Sequence, residues 1–190
     1  MISYSFTPFP ELETSRLRLR QVGEYDWPEI LKLRGNRETM QYIPRPLVTT
    51  PQEAIDHIKT IQDKIRTHEG INWAITLKEE DRLLGVIGHY RLQPENFRSE
   101  IGYMLLPEAQ GQGIASEAIK AILIYGFESM QLHSIEAIID PENRSSERVL
   151  QKIGFVKEGH LKENEFFNGR FWDTVIYSLL RQNFKEIQSL

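Results

Sequence analysis

A mixed α/β domain, with antiparallel and parallel strand pairs in one sheet, is predicted by three features of the chain. Short apolar segments of strand character are interleaved with amphipathic runs of helix character along most of the length. Two apolar, β-branched segments, Ile71–Leu77 and Leu83–Leu92, read as an antiparallel hairpin that pairs next to a further strand at Glu100–Leu106. A glycine loop then carries that strand into an amphipathic run, Ala115–Phe127.

The elements follow in order. Leu17-Arg18-Leu19-Arg20-Gln21-Val22 alternates apolar and polar residues, as a half-buried strand does. Asp26 is placed to cap a helix with Pro28 and Glu29 in its first turn; Trp27, Ile30, Leu31 and Leu33 supply its apolar face, and it ends near Gly35-Asn36. Thr50-Pro51-Gln52-Glu53 has the form of a capping box with proline at the first helical position. Ile55, Ile58, Ile61 and Ile65 continue that helix to about Thr67. Lys78-Glu79-Glu80-Asp81 separates the hairpin strands. Beyond the glycine-loop helix come a strand at Ser134–Ile139, a helix at Ser145–Ile153, and strands at Phe155–Glu163 and Phe171–Leu180. No repeat, low-complexity tract or long linker interrupts this order.

Bulk properties narrow the function. A chain of 190 residues, 40% hydrophobic, suits one domain with a substantial core. Lys+Arg 23 against Asp+Glu 27 gives a net charge of −4 without a basic run, so no nucleic-acid partner is expected. The absence of cysteine excludes disulfides, thiolate catalysis and cysteine metal sites. No apolar stretch approaches the roughly 20 residues that span a bilayer, and Met1–Pro10 lacks a secretory pattern. A cytoplasmic protein away from membranes is the expectation. His57, His68, His89, His133 and His160 lack ligand spacing, so no metal is expected; Trp27, Trp73 and Trp172 read as core.

The loop Gln110-Gly111-Gln112-Gly113-Ile114-Ala115-Ser116 is the most informative stretch. A strand–glycine loop–helix passage presents unpaired N–H groups and the positive end of a helix dipole, and so reads as a pyrophosphate cradle. Ile114 and Ala115 stand where a P-loop needs Lys and then Ser or Thr, which disfavours nucleotide hydrolysis. In a dinucleotide fingerprint Ser116 would take the third glycine's place and Asp140 the ribose carboxylate's, so spacing alone leaves a nicotinamide site open.

With Gln110-x-x-Gly113-x-Ala115 at its centre, the succession over residues 12–182 resembles the acetyl-coenzyme-A-dependent N-acetyltransferases of the GNAT superfamily. The segment Asn143-x-x-Ser146-x-x-x-Leu150-x-Lys152-Ile153-Gly154-Phe155 is similar to the signature of the ribosomal-protein N-terminal acetyltransferase branch. So are Leu12–Leu17, Asn36–Pro46, Glu100–Tyr103, Glu158-Gly159 and Asn164–Gly169. The resemblance implies a single GNAT domain over 12–182, with a mostly antiparallel seven-stranded sheet, about four helices and splayed central strands around acetyl-CoA. It implies a monomer or homodimer that needs no metal.

The resemblance also implies roles. Met104, Leu105 and Leu106 would bond the pantetheine arm through their backbones, and the 110–116 loop would hold the pyrophosphate. Asn143, locally a turn or cap residue, would bond the arm as well. Ser146 would protonate the departing thiolate, because Leu150 stands where the superfamily often carries tyrosine. An α-amino group with a pKa of about 8 needs a general base. Glu165 is the first candidate, with Phe166 and Phe167 as walls that raise its pKa, and Glu100 is the second. Tyr42, Ile43, Pro44 and Arg45 would border the acceptor. The implied reaction is acetyl transfer to a primary amine, foremost the N-terminus of a ribosomal protein. A small amine (polyamine, amino acid or antibiotic) is the alternative acceptor, and a coenzyme-A-binding protein without turnover the alternative class.

Overall fold

The computed structural model describes residues 4–188. Eight strands form one sheet: β1 (Leu12–Glu13), β2 (Leu17–Gln21), β3 (Ile71–Leu77), β4 (Glu80–Gln93), β5 (Arg98–Leu105), β6 (Ser134–Ile139), β7 (Val156–Phe167) and β8 (Arg170–Leu180). Six helices accompany them: α1 (Trp27–Gly35), α2 (Arg37–Met40), α3 (Pro51–Arg66), α4 (Ile114–Ile124), α5 (Arg144–Ile153) and α6 (Arg181–Gln188). The spatial order is β1-β2-β3-β4-β5-β6-β8-β7, and every neighbouring pair is antiparallel except β5 with β6.

This is the predicted mixed sheet with one strand and two helices more than expected. β1 is only two residues long, too short to show alternation. α2 is a single turn built on Asn36, whose Oδ1 accepts from the N–H groups of Glu38 and Thr39. The capping box of α3 forms as read: Thr50 accepts from the Glu53 N–H, and the Glu53 carboxylate accepts from the Thr50 N–H. The α1 cap differs. Asp26 makes no side-chain bond to that helix; its carboxylate takes both Arg20 Nη atoms and the Gly23 N–H, each at 2.8 Å. Arg20, predicted to face outward from a half-buried strand, is therefore 4% exposed.

The sheet is covered on both faces. Ile30 and Leu33 of α1 and Ala54 and Ile58 of α3 pack with Val22, Ala74, Leu83 and Val86. Ala118, Ile119, Ile122 and Leu123 of α4 and Leu150 and Ile153 of α5 belong to the larger core, with Ile87, Ile101, Ile135 and Tyr177. The last turn of the predicted Ala115–Phe127 helix widens into a π turn at Tyr125–Ser129. Trp73 is fully buried, as is His89, whose ring bonds the Ser99 hydroxyl at 2.8 Å and the Ile122 carbonyl at 2.9 Å. Among the described residues no helix is long and apolar enough to cross a membrane.

Candidate active site

The site begins where the sheet comes apart. β5 and β6 pair in parallel from Arg98 with Ser134 to Ile101 with Ala137, and no further. β5 runs on to Leu105 and β6 to Ile139, so their C-terminal ends diverge. The other edge of β5 stays paired with β4 through Gly85 with Leu105. The Leu106 N–H bonds the Leu84 carbonyl at 2.8 Å, which fixes the phase of the ladder. In an antiparallel pair alternate residues direct their N–H and C=O toward the partner, so Met104 spends both on β4, while Leu106 gives its N–H to Leu84 and its C=O to the Ala109 N–H of the following turn. Tyr103 turns both of its groups toward the cleft, and Leu105 its N–H, the Leu105 carbonyl accepting from the Gln110 side chain. This corrects the expectation for Met104 and Leu106: Leu105 keeps its place on the open edge, and Tyr103 joins it. Leu106 is also buried in the core.

The glycine loop lies at the end of this edge. Gly111 and Gly113 have φ of +73° and +78°, and a Cβ on Gly111 would meet no atom within 4 Å, so the loop has left-handed turns and open space. Gly113 is the N-cap of α4 without a side-chain cap, which leaves the first-turn N–H groups at Ile114, Ala115 and Ser116 uncapped. Gln110 and Gln112 serve the loop itself: their amides donate to the carbonyls of Leu105 at 3.1 Å and Glu108 at 2.6 Å. The Ile114 side chain is core. Arg16, which sequence reasoning did not single out, donates to the Gln112 carbonyl at 3.1 Å and to Glu117 at 2.7 Å, bringing a cation beside the loop. Glu117 also accepts from Thr14, Ser15 and the Arg16 N–H. Although partial burial opposes this, these bonds hold its carboxyl down to about 2.

Across the cleft, Asn143 is the N-cap of α5. Its Oδ1 accepts from the Ser146 N–H at 3.1 Å and the Ser145 hydroxyl at 2.9 Å. That orientation leaves Nδ2 as a free donor, so the cap role and a ligand-binding role are compatible. Asn143, Ser146 and Tyr103 line the same cavity. Burial pushes the Tyr103 phenol up, partly offset by the Ser146 hydroxyl beside it. Asp140 bonds the Glu142 N–H at 2.7 Å and so shapes the turn after β6. With a sheet that is almost wholly antiparallel, the nicotinamide option ends there.

The two carboxylates occupy one cavity bordered by Tyr42, Ile43, Pro44 and Arg45, beside Arg91 and Trp172. Glu165 lies on β7, not in a loop, and its carboxylate pairs with Arg45 at 3.4 Å. Phe166 does not wall it: strand alternation turns that ring away, leaving it 65% exposed against Phe171. Glu100 is better enclosed, its side chain 17% exposed against 28% for Glu165. Arg91 lies 3.0 Å from Glu100 Oε2, an oxygen that makes no well-formed hydrogen bond. Desolvation pushes the Glu100 carboxyl above its ordinary value, with Arg91 opposing and Glu136 and Glu165 reinforcing. A larger cavity of about 730 Å³ joins Glu100 to Met104, Asn143 and Ser146. Trp172 is half-buried under the Arg170 guanidinium and, unlike Trp73, is not core. Among the described residues no three His, Asp or Glu side chains cluster as a metal site.

The family model for the acetyltransferase (GNAT) domain matches residues 16–156. The chain belongs to the GNAT acetyltransferase family. It is 36% identical over 173 residues to the uncharacterized N-acetyltransferase YoaA of Bacillus subtilis, covering 91% of this chain and 98% of that protein. It is 35% identical over 128 residues to the ribosomal-protein-serine acetyltransferase of Escherichia coli, covering 67% and 72%. The spermidine N-acetyltransferase of Vibrio cholerae, solved with CoA and spermine, superposes with a TM-score of 0.80 at 26% identity, covering 90% of this chain and 99% of that one. As a GNAT enzyme this chain transfers acetyl from acetyl-CoA to nitrogen. The chemistry of its residues suits that cosubstrate: the open β5 edge offers backbone groups to a polar amide arm, and the uncapped helix terminus above two left-handed glycines offers N–H groups to phosphate oxygens.

Proposed function

We propose that the acceptor is the α-amine at the end of a peptide chain, of the ribosomal-protein type, with Glu100 as the general base and Ser146 as the donor to the leaving sulfur. The observation that carries this reading is the single cavity in which Glu100, Asn143 and Ser146 all face the open end of β5. A second opening, between Tyr42–Arg45 and the β7–β8 strands, leads from solvent to Glu100 and suits an extended chain end. The 35% identity to the ribosomal-protein-serine enzyme supports the same acceptor.

Acetyl-CoA supplies an acetyl group activated as a thioester. Tyr103 and Leu105 hold the arm along β5, the Asn143 amide steadies it from the other side, and the 110–116 loop holds the phosphates. Glu100 receives, directly or through one water, the proton that the ammonium must lose before its lone pair can attack. As the C–N bond forms, nitrogen releases its second proton to solvent, and as the C–S bond breaks the sulfur takes up one: the Ser146 hydroxyl, with Tyr103 beside it, passes its proton to the departing thiolate and is reprotonated from solvent. Glu165, paired with Arg45, orients the incoming amine at the mouth. The desolvated Glu100 thus takes precedence over Glu165, the first candidate from sequence.

The test is an acceptor screen read by release of free thiol, run with N-terminal peptides, amino acids and polyamines. Peptides are expected to be the best acceptors, and a clear preference for polyamines would reject the assignment. Glu100→Gln should lower kcat by about 10²–10⁴-fold, the range for loss of a general base. It should also remove an acid limb of kcat/KM lying above the ordinary carboxylate range, since the working form is the carboxylate and its pKa is raised. Glu165→Gln should cost less; the reverse ranking would return the base to Glu165.

A further inference from the structure

Arg34, in the last turn of α1, lines the 730 Å³ cavity that Ser146 and Glu100 also line. Its Nη1 rests 3.7 Å from Met104 Sδ, on the strand expected to carry the thioester. Its Nε is buried without a hydrogen-bond partner. Among the described residues no carboxylate comes within 4 Å of it, although every other arginine facing this cavity, Arg45 and Arg91, is paired. Tyr90 cannot serve as a counter-ion, because burial pushes its phenol up to about 12 and it bonds Asn72. His57, which lines the same cavity, is held near 4 by burial, with Arg34 and Lys64 adding to the effect, and stays neutral at neutral pH. Glu69, which also lines it, is exposed and makes no ion pair with Arg34.

A half-buried guanidinium whose Nε is buried without a partner, and whose Nη1 has only a thioether sulfur beside it, is costly unless an anion arrives to pair with it. The other end of the same space is acidic: Glu100, Asp140, Glu165 and Asp173 line the connected cavity against Arg45 and Arg91. The cavity is therefore polarised, with an end for an ammonium and an end for an anion. We infer that the acceptor carries a carboxylate as well as its amine, and that Arg34 binds this carboxylate while the amine lies at Glu100. This rests on the proposed transfer to an amine in this cleft and narrows its substrate class: a peptide with an acidic residue close behind its N-terminus, bound by the planar, bidentate fit of guanidinium to carboxylate. A polyamine, with cations at both ends, would place one of them against Arg34.

The experiment compares kcat/KM for two amidated peptides that differ only in Asp or Asn at the second or third residue, with a free amino acid and spermidine alongside. The acidic peptide should be favoured roughly tenfold to hundredfold, the worth of one charge-assisted contact. Arg34→Met should bring that ratio close to one, mainly through KM. Equal kcat/KM for the two peptides in the unmodified enzyme, or a ratio that survives Arg34→Met, overturns the role of Arg34 and leaves peptide acetylation standing. Acetylation of the free amino acid but of neither peptide keeps the carboxylate site and rejects the peptide acceptor. Spermidine as the preferred acceptor overturns both. The peptide ratio in the unmodified enzyme needs no variant, so the inference stays testable if Arg34→Met fails to fold.

Discussion

Arg20 is buried and Arg34 half-buried, and their surroundings are opposite. Arg20 is 4% exposed and saturated: two bonds to Asp26, one to Asp81 at 2.6 Å, and two to backbone carbonyls. It ties β2 to the chain before α1 and to the start of β4, away from the cleft. Arg34 faces the cleft, and its Nη1 lies 3.7 Å from the Met104 sulfur. A buried charge with all its partners built in is a structural device, whereas a half-buried one that meets no carboxylate among the described residues points to a ligand. Arg16 stands between the two, half-exposed, paired with Glu117 and bonded to the Gln112 carbonyl of the glycine loop.

The largest effect should come from the saturated site. Arg20→Met strands the Asp26 carboxylate in the core and should lower the unfolding free energy by about 3–5 kcal/mol, as loss of one partner of a buried pair does. Urea denaturation measures this, and a loss below 1 kcal/mol would show that the pair is not a staple. Glu117→Gln should cost less, about 1–2 kcal/mol, because one partner, Arg16, is half-exposed. The folded pKa of Glu117 is depressed to about 2 from 4.5, so its contribution is complete above about 4.5 and is lost as pH falls through about 2. The stability difference between Glu117→Gln and the unmodified protein should therefore shrink across that window. A constant difference would assign the effect to packing.

Locally encoded parts of the fold were legible in the sequence. The capping box at Thr50–Glu53 forms as read, and the Ser134–Ile139 strand has its predicted ends. Asp26 was misread because its true partner is an arginine on the preceding strand, and an aspartate before a helix looks like a cap whichever bond it makes. Within the site, the 110–116 loop and the Asn143 cap were visible as turn chemistry. The edge of β5 was not: whether Met104 or Tyr103 turns its backbone to the cleft depends on the phase of the β4 ladder, which shifts by one residue without changing the apolar pattern. Phe166 was misplaced for a related reason, since extending β7 to Phe167 makes alternation decide which side chain faces Glu165. That no carboxylate among the described residues meets Arg34 was invisible, because no local pattern shows which residues fail to meet.

The contrast between the two arginines is tested most directly by measuring unfolding free energy and acidic-peptide kcat/KM together for Arg20→Met and Arg34→Met. Arg20→Met should lose stability while its folded fraction keeps its kcat/KM. Arg34→Met should hold its stability within about 1 kcal/mol or gain some, because a half-buried charge that meets no carboxylate among the described residues has been removed, and should lose kcat/KM for the acidic peptide. Should Arg34→Met instead lose as much stability as Arg20→Met and keep that kcat/KM, Arg34 would be a structural residue like Arg20, and the polarised acceptor site would be contradicted.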